Sequence, residues 1–536
     1  MNETKNPTTT RPLAKATSSL AFRNTVFRIA VIAMLTLIFV GIRYLKAALW
    51  PDGGHPAHNL FDQIVAWSAL TWALTLPWAL ADIVGWMLYR RHTPATEETR
   101  PQTRTRRMRY QVVFRIVTRG DQPATVIATV CSVIEAMRAR PSFRYRIEVV
   151  SDMPVEGLPR HEAVNAIVVP DDYETSNGAT HKARALHFAM LISRIPDDAW
   201  ILHLDEESHV TEELIVGIRE AVTEEERSGN HRIGQGIITY HRDLASNKLY
   251  SLADSIRVGD DMGRFHLQYR MHRILFGMHG SFLLVRSSIE KAAGFDFPPE
   301  ACTTEDTVWA LTQMGVGNRF RWVDGTVVEQ SPASFGDFVR QRRRWFTGMW
   351  WAAKHTPVAA RFRVPLMFAM FLWTVGWTGF AYSLLHVFSG VAVPEPIALV
   401  GDAIFAVFVT NYVMGLWVSL SMREGRGDVK RFRYLGLQAV AIPVFTVLEA
   451  SAVVYSLLSP ERRFHVVRKP TVGSAPVLIH ETQVDHGGGV GDAVGVGVSV
   501  GVGVPTGSSN TPVSGTLSTH ASRQERPVNV VTAHHE

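Results

Sequence analysis

The chain segregates its apolar positions into long stretches around a mixed interior. Val26 to Trp50 is apolar apart from Arg28, Arg43 and Lys46 near its ends, and Phe61 to Tyr89 carries only Asp62 and Asp82 as charges. A bilayer core asks for about 20 apolar residues in helix, and a soluble core helix of such length would show polar stripes. Both runs therefore predict transmembrane helices. Hydrophobicity returns later: Val364 to Ser389 has no Asp, Glu, Lys or Arg, Ile397 to Leu420 has only Asp402, and Tyr434 to Leu458 has only Glu449, with Pro443 inside it. The last two segments are open to being simple spans or broken, re-entrant helices. Glu449 in an apolar helix marks either a functional site or the bundle interior.

Between these groups, roughly Met108 to Gln341, the pattern is that of a soluble domain. Gln111 to Val117 is strand-like and ends at Thr118-Arg119-Gly120. Ala124 to Arg138 has helical spacing, Arg146 to Val150 is a second strand ending at Ser151-Asp152, and Ala166 to Val169 a third stopped by Pro170. Thr180 to Ile195 reads as helix, and Trp200 to Leu204 as a fourth strand ending at Asp205. Strands alternating with helices predict an α/β domain with a mostly parallel sheet. Ligands bind at the carboxyl ends of such strands, where Asp152 and Asp205 stand.

Charge adds direction. The 536 residues hold 55 Lys+Arg against 49 Asp+Glu, a net +6, with a mean hydropathy of +0.04 that averages membrane and polar parts. The stretch Arg90 to Arg109 is rich in Arg, as is Met422 to Arg433 in Lys and Arg; both predict the cytoplasmic side for themselves and for the domain between the apolar groups. Three full spans after that domain would put basic Arg462 to Lys469 outside, so either one segment is a hairpin or the rule fails there. The first apolar run is too long for a signal-peptide core and is followed by a second. Cys131 and Cys302 allow at most one bridge, which excludes a disulfide-stapled protein. Past Pro470 a Gly-Val, Ser and Thr-rich tail cannot build a core and is expected to be disordered. The basic excess sits beside membrane segments, so no nucleic acid is expected, and neither the tail nor the Thr-rich N-terminal arm offers a protein-partner motif.

Three clusters carry candidate chemistry. In His203-Leu204-Asp205-Glu206-Glu207, residues two apart in an extended segment point the same way, so Asp205 and Glu207 would present two carboxylates to Mg²⁺ or Mn²⁺; the same acids would suit a helix start before Thr211-Glu212-Glu213. Thr303-Thr304-Glu305-Asp306 precedes a helical pattern and reads either as a capped first turn or as a carboxylate placed for general-base work. Gln341-Arg342-Arg343-Arg344-Trp345 is either an interfacial anchor or an Arg for a diphosphate beside a stacking Trp.

In this order the clusters resemble membrane-embedded family 2 glycosyltransferases, the group of cellulose, hyaluronan and mannan synthases, over roughly residues 20 to 470. Within the group the chain is similar to egghead-type β-1,4-mannosyltransferases, through Val117 to Gly120, Lys182 to Leu186, His203 to Glu207, Ile233 to Tyr240, Gly277 to Ser281 and Thr304-Glu305-Asp306. The resemblance implies a GT-A nucleotide-sugar domain flanked by transmembrane helices: an arm over 1–22, two helices in 23–91, the cytoplasmic catalytic domain in 92–345, an interfacial helix in 346–360, about three apolar segments in 361–460 and a basic stretch with tail in 461–536. It implies that Thr118, Arg119, Asp152 and Lys182 line the donor pocket and that Asp205 and Glu207 hold a divalent cation, with Glu207 longer than the usual Asp. Asp306, with Glu305 beside it, takes the catalytic base position. Gly280 and Ser281 lie near the acceptor, and Gln341, Arg344 and Trp345 hold donor diphosphate and acceptor.

The implied activity is inverting transfer of a hexosyl group, mannosyl first among them, from GDP-mannose or a UDP-hexose to a lipid or glycan acceptor. The enzyme would be a multi-pass protein of the plasma membrane in a bacterium or of an endomembrane in a eukaryote. A processive β-polysaccharide synthase shares the signature. A non-catalytic membrane binding or transport protein would suit the five apolar segments but not the full set Asp205, Glu207, Asp306 and Arg344.

Overall fold

The strand-like runs assemble into one eight-stranded sheet in the computed structural model, which describes residues 11–90, 108–240, 248–421 and 428–460. The expectations for the first residues of the arm, most of the Arg-rich segment, most of the basic loop, the stretch after 460 and the tail lie outside the described residues.

Helices α1 (Arg11–Leu49), α2 (Leu60–Ala73) and α3 (Leu76–Leu88) come first. The sheet region follows as β1 (Met108–Thr118), α4 (Pro123–Ala139), β2 (Phe143–Ser151), β3 (Val164–Val168), α5 (His181–Ile192), β4 (Trp200–Asp205), β5 (His209–Val210), α6 (Glu212–Ser228) and β6 (Ile233–Tyr240). Short helices α7 (Lys248–Ala253) and α8 (Ser255–Asp260), a π-helical turn Asp261–Phe265 and α9 (His266–Arg270) lead to β7 (Leu283–Arg286), α10 (Ser287–Ala293), α11 (Glu305–Gly315) and β8 (Phe320–Glu329). Four long helices close the described chain: α12 (Phe335–His355), α13 (Ala360–Ser389), α14 (Glu395–Ser421) and α15 (Asp428–Leu458).

The strand order is β3-β2-β1-β4-β7-β6-β8-β5. The half the sequence pattern marked, β3 to β4, is parallel throughout, and β6 pairs parallel with β8. β7 joins the two halves antiparallel to both β4 and β6, and β5 pairs antiparallel with β8. Register sets the site: Val117 pairs with Asp205 and Thr118 with Ser151, so Arg119, Asp152 and Asp205 emerge along one edge. A fully buried ion group under the sheet ties these strands together. Arg115 on β1 meets Glu148 on β2 at 3.0 Å and also pairs with Glu290 on α10, which holds His203 of β4 at 2.5 Å. β6 is buried along its whole length. Its Gly-Gln-Gly pattern has a packing reason: a Cβ on Gly234 would fall 2.5 Å from Val323 Cγ2, and one on Gly236 2.3 Å from the Val323 carbonyl.

Among the described residues five helical segments are long and apolar enough to cross a membrane: Ala21–Leu49, Leu60–Leu88, Ala360–His386, Glu395–Leu420 and Phe432–Leu458. The second was expected as one run. It divides at Leu74-Thr75, with Pro77 in the first turn of α3, where its missing N–H costs nothing. Of the alternatives for the last two segments, both form continuous helices, and α15 runs through Pro443. The segment from α8 to the π-turn is wedged between α3 and α14 at backbone distance. A Cβ on Gly415 would sit 1.8 Å from the Ser255 carbonyl, and one on Gly85 1.9 Å from that of Gly263.

Candidate active site

A cavity of about 1260 Å³ starts at the carboxyl edge of the sheet and continues between α13, α14 and α15. All of the residues singled out from sequence line it: Thr118, Arg119, Asp152, Lys182, Asp205, Glu207, Gly280, Ser281, Glu305, Asp306, Gln341, Arg344 and Trp345.

Its centre is built around Gly280. Lys182, in the first turn of α5, forms an ion pair with Asp205 at the end of β4 and donates to the Gly280 carbonyl at 2.8 Å. A Cβ on Gly280 would stand 3.1 Å from Asp306 Oδ2, 3.1 Å from Lys182 Nζ and 3.7 Å from Glu305 Oε1. Only a hydrogen side chain leaves that space between the cation and the two carboxylates. The neighbouring His181 and Phe282, which flank Lys182 and Ser281, both have left-handed backbone (φ 54° and 56°), a strain of roughly 1 kcal/mol or more each. Gln235 of β6 clamps the loop, its Nε2 donating to the His279 carbonyl at 2.8 Å and to that of Ser281 at 3.2 Å.

Asp306 sits in the first turn of α11, where its Oδ1 accepts from the Thr307 N–H at 2.6 Å. Of the first-turn reading, the acids do open a helix but the Thr cap is not made; both acids line the cavity. Thr304 holds the cap position without its hydroxyl capping, and among the described residues that buried hydroxyl finds no partner. Burial, then the adjacent Asp306 carboxylate, pushes Glu305 up to about 7. Burial raises Asp306 as well, against the pull of Lys182. Burial disfavours the Lys182 ammonium, but Asp205 and Glu305 outweigh it and hold the group above its usual range. Burial lowers Arg344, opposed by Glu305, Asp306, Asp205 and Glu207, so this arginine stands in the field of all four carboxylates.

At the rim, Asp152 accepts from Arg184 Nη1 at 2.9 Å, and burial raises its pKa. Arg119 is half exposed and lies 3.8 Å from Asp121. Thr118 Oγ1 donates to Glu206 Oε2 at 2.5 Å. Ser281 turns its hydroxyl to Ser208 Oγ at 2.7 Å. The argument that alternation aligns Asp205 with Glu207 does not hold locally: β4 ends at Asp205 and the chain turns, Ser208 N–H reaching the Asp205 carbonyl at 3.1 Å. The turn brings Glu206 to the cavity as well as Asp205 and Glu207. Among the described residues no three His, Cys, Asp or Glu cluster closely enough to hold a metal alone. Two hard carboxylates with positions left for phosphate oxygens and water are what Mg²⁺ or Mn²⁺ takes when it bridges protein and diphosphate, so the residues present fit such an ion.

Towards the long helices, Trp345 meets two guanidinium groups, Arg257 at 4.3 Å and Arg342 at 4.5 Å from its ring centre. Gln341 Oε1 accepts from Arg342 Nη1 at 3.0 Å. Glu449, open between two readings on sequence, lines the cavity and meets Arg342 Nε at 2.9 Å. Sequence reasoning passed over Glu206, Arg257, the Asp261–His279 pair (2.7 Å) and the Arg264–Asp82 contact (3.1 Å). The contacts of Arg257, Asp261 and Arg264 depend on how the segment from α8 to α9 packs, and no local motif announces it.

The chain matches the family described as Glycosyl transferase family group 2 over residues 200–420. It is 33% identical over 362 residues to the β-1,4-mannosyltransferase egh of Drosophila melanogaster, covering 67% of this chain and 78% of that one. It is 30% identical over 365 residues to the β-1,4-mannosyltransferase bre-3 of Caenorhabditis elegans, with the same coverage. Among solved structures it is similar to the mannosyltransferase PcManGT from Pyrobaculum calidifontis in complex with GDP-Man and Mn²⁺, at 12% identity and a TM-score of 0.43 over 75% of this chain and 100% of that one. That last likeness is too loose to argue from.

Proposed function

The chain belongs to the family 2 glycosyltransferases, among relatives of the egghead-type β-1,4-mannosyltransferases, and from that premise we propose that it transfers mannose from GDP-mannose, with inversion, to a hydroxyl of an acceptor. The observation that carries the reading is the convergence of Asp306, Glu305 and Lys182 on the space above Gly280, inside a cavity that opens from the sheet edge.

An acceptor hydroxyl is a weak nucleophile at neutral pH, and Asp306 accepts its proton as the oxygen attacks the anomeric carbon. Partly buried, and with its Oδ1 fixed by the Thr307 amide, it keeps Oδ2 for that proton. Glu305 beside it raises the proton affinity of the pair. Negative charge grows on the departing diphosphate, and Lys182 and Arg344 are the fixed cations that stabilise it. Thr118, Arg119 and Asp152 receive the nucleoside part, and Gln341 braces the Arg342 side of the same helix. Asp205 and Glu207 would hold Mg²⁺ or Mn²⁺, which when bound supplies further positive charge to the diphosphate. Attack opposite the leaving group turns an α-linked donor into a β-linked product.

Gly280, Ser281 and Trp345 border the acceptor side. Between α13, α14 and α15 the lining is mostly apolar, with Trp373, Trp377, Phe405 and Ile442 beside the polar Ser383, Asn411, Thr446 and Glu449. This favours an acceptor carried on a lipid over a free glycan. In this reading the five apolar helices cross the bilayer, the domain over 92–345 faces the cytoplasm, and α12 carries the signature from that domain to the membrane surface. The continuation of the cavity between the helices also suits a processive synthase, and product length separates the two. Membranes holding the full chain, supplied with radiolabelled GDP- and UDP-sugars, should incorporate label from GDP-mannose as a single addition. Incorporation from UDP-sugars alone, or a ladder of products, overturns the respective part.

A further inference from the structure

Most cations lining the cavity are matched by carboxylates. Arg119 faces Asp121, Arg264 faces Asp82 and Asp260, and Arg342 faces Asp254 and Glu449. Arg257 of α8 is different. It is partly buried and lines the cavity, yet among the described residues no carboxylate or carbonyl lies within ion-pair or hydrogen-bond distance of it. Its guanidinium lies over two rings instead, Tyr240 at 5.0 Å and Trp345 at 4.3 Å from the ring centres.

The usual partners on its own helical face are present in sequence but engaged elsewhere. Acids three or four positions away are the natural ion-pair neighbours on a helix, and here they are Asp254, Asp260 and Asp261. Asp254 pairs with Arg342, Asp260 with Arg264, and Asp261 with His279 at 2.7 Å and the Ile238 N–H at 3.0 Å. The two rings hold the guanidinium by cation–π contact, and among the described residues no acceptor takes its N–H groups. A planar fork presented edge-on matches an oxyanion, phosphate above all.

We propose that Arg257 is a phosphate-binding residue of this cavity, taking an oxyanion on its guanidinium N–H groups while Tyr240 and Trp345 hold the group in place. The inference rests on the cavity being the transfer site. Two sources of phosphate fit: the diphosphate of the donor, or a phosphate joining the acceptor to its apolar anchor. Alternatively Arg257 does no more than brace Trp345.

The test is calorimetric titration of the detergent-solubilised full chain with inorganic pyrophosphate and, separately, with dodecyl phosphate, in wild type, Arg257→Gln and Arg257→Lys. Arg257→Gln should weaken one of the two by about tenfold or more, pyrophosphate indicating the donor and dodecyl phosphate the acceptor. Arg257→Lys keeps the charge without the fork and should fall between. If Arg257→Gln melts like wild type and binds both probes as wild type does, the proposal fails, even where transfer slows. If Arg257→Gln does not fold, Arg257→Lys decides, and unchanged affinity for both probes overturns the proposal. A wild-type chain that binds neither probe overturns both this inference and the reading beneath it.

Discussion

Asp306→Asn tests the base assignment at a single atom. The substitution is nearly isosteric, and Asn Oδ1 can keep the 2.6 Å bond from the Thr307 amide, so the side chain should hold its place at the start of α11. What changes is Oδ2, the atom turned towards the space above Gly280: an acceptor becomes an N–H donor and a partly buried negative charge disappears. A positioned general base contributes about 10²–10⁴ in rate, or about 2.7–5.4 kcal/mol at 1.36 kcal/mol per decade. The expected outcome is a fall in kcat of that size for label transfer from GDP-mannose, while GDP binding, assigned to Lys182, Arg344 and the sheet edge, stays within about threefold. The variant should also fold, since it removes one of several carboxylates competing for Lys182. A kcat within threefold of wild type would refute the reasoning, and equal losses in GDP affinity and rate would move Asp306 from chemistry to donor binding.

The same arrangement has further consequences. Gly280→Ala places a methyl group 3.1 Å from both Asp306 Oδ2 and Lys182 Nζ; expression and melting should be near normal, with kcat/KM lowered about tenfold, and an unchanged kcat/KM would show that the space is not used. Because burial and Asp306 raise Glu305 to about 7, the pair retains a proton below that pH, and kcat/KM should climb between about pH 6 and pH 8. The stability that this raised pKa contributes is complete below the ordinary glutamate value of 4.5 and is lost as pH rises through about 7; Glu305→Gln should flatten that dependence, and a profile identical to wild type would contradict the assignment. Chelation should abolish transfer and added Mn²⁺ or Mg²⁺ restore it, with Asp205→Asn needing more metal; activity indifferent to chelator would remove the cation from the account.

What the sequence disclosed follows from how local each signal is. The first four strands, their helices and the strand-end acids Asp152 and Asp205 were legible because each strand is a short apolar run closed by a turn. The three chemical clusters were legible only in combination, since each alone suits a cap, a helix start or an interface anchor. The structure brings them to one cavity through pairings that no local pattern encodes, such as β7 lying antiparallel between β4 and β6. The break in the second apolar run was written in Pro77 but was masked by uniform hydrophobicity. The region from α8 to α9 was the least legible. Its polar residues look like an exposed helix face, and they are buried because Gly85, Gly259 and Gly415 let α3 and α14 close on its backbone.

The anomeric configuration of the product tests the central claim most directly. Purified full chain, supplied with GDP-mannose and a lipid-linked sugar acceptor, should yield one added mannose whose linkage is β by NMR and cleaved by β-mannosidase. An α-linked mannose, or no mannose transferred under conditions where GDP binds, would contradict inverting transfer by Asp306 in this cavity.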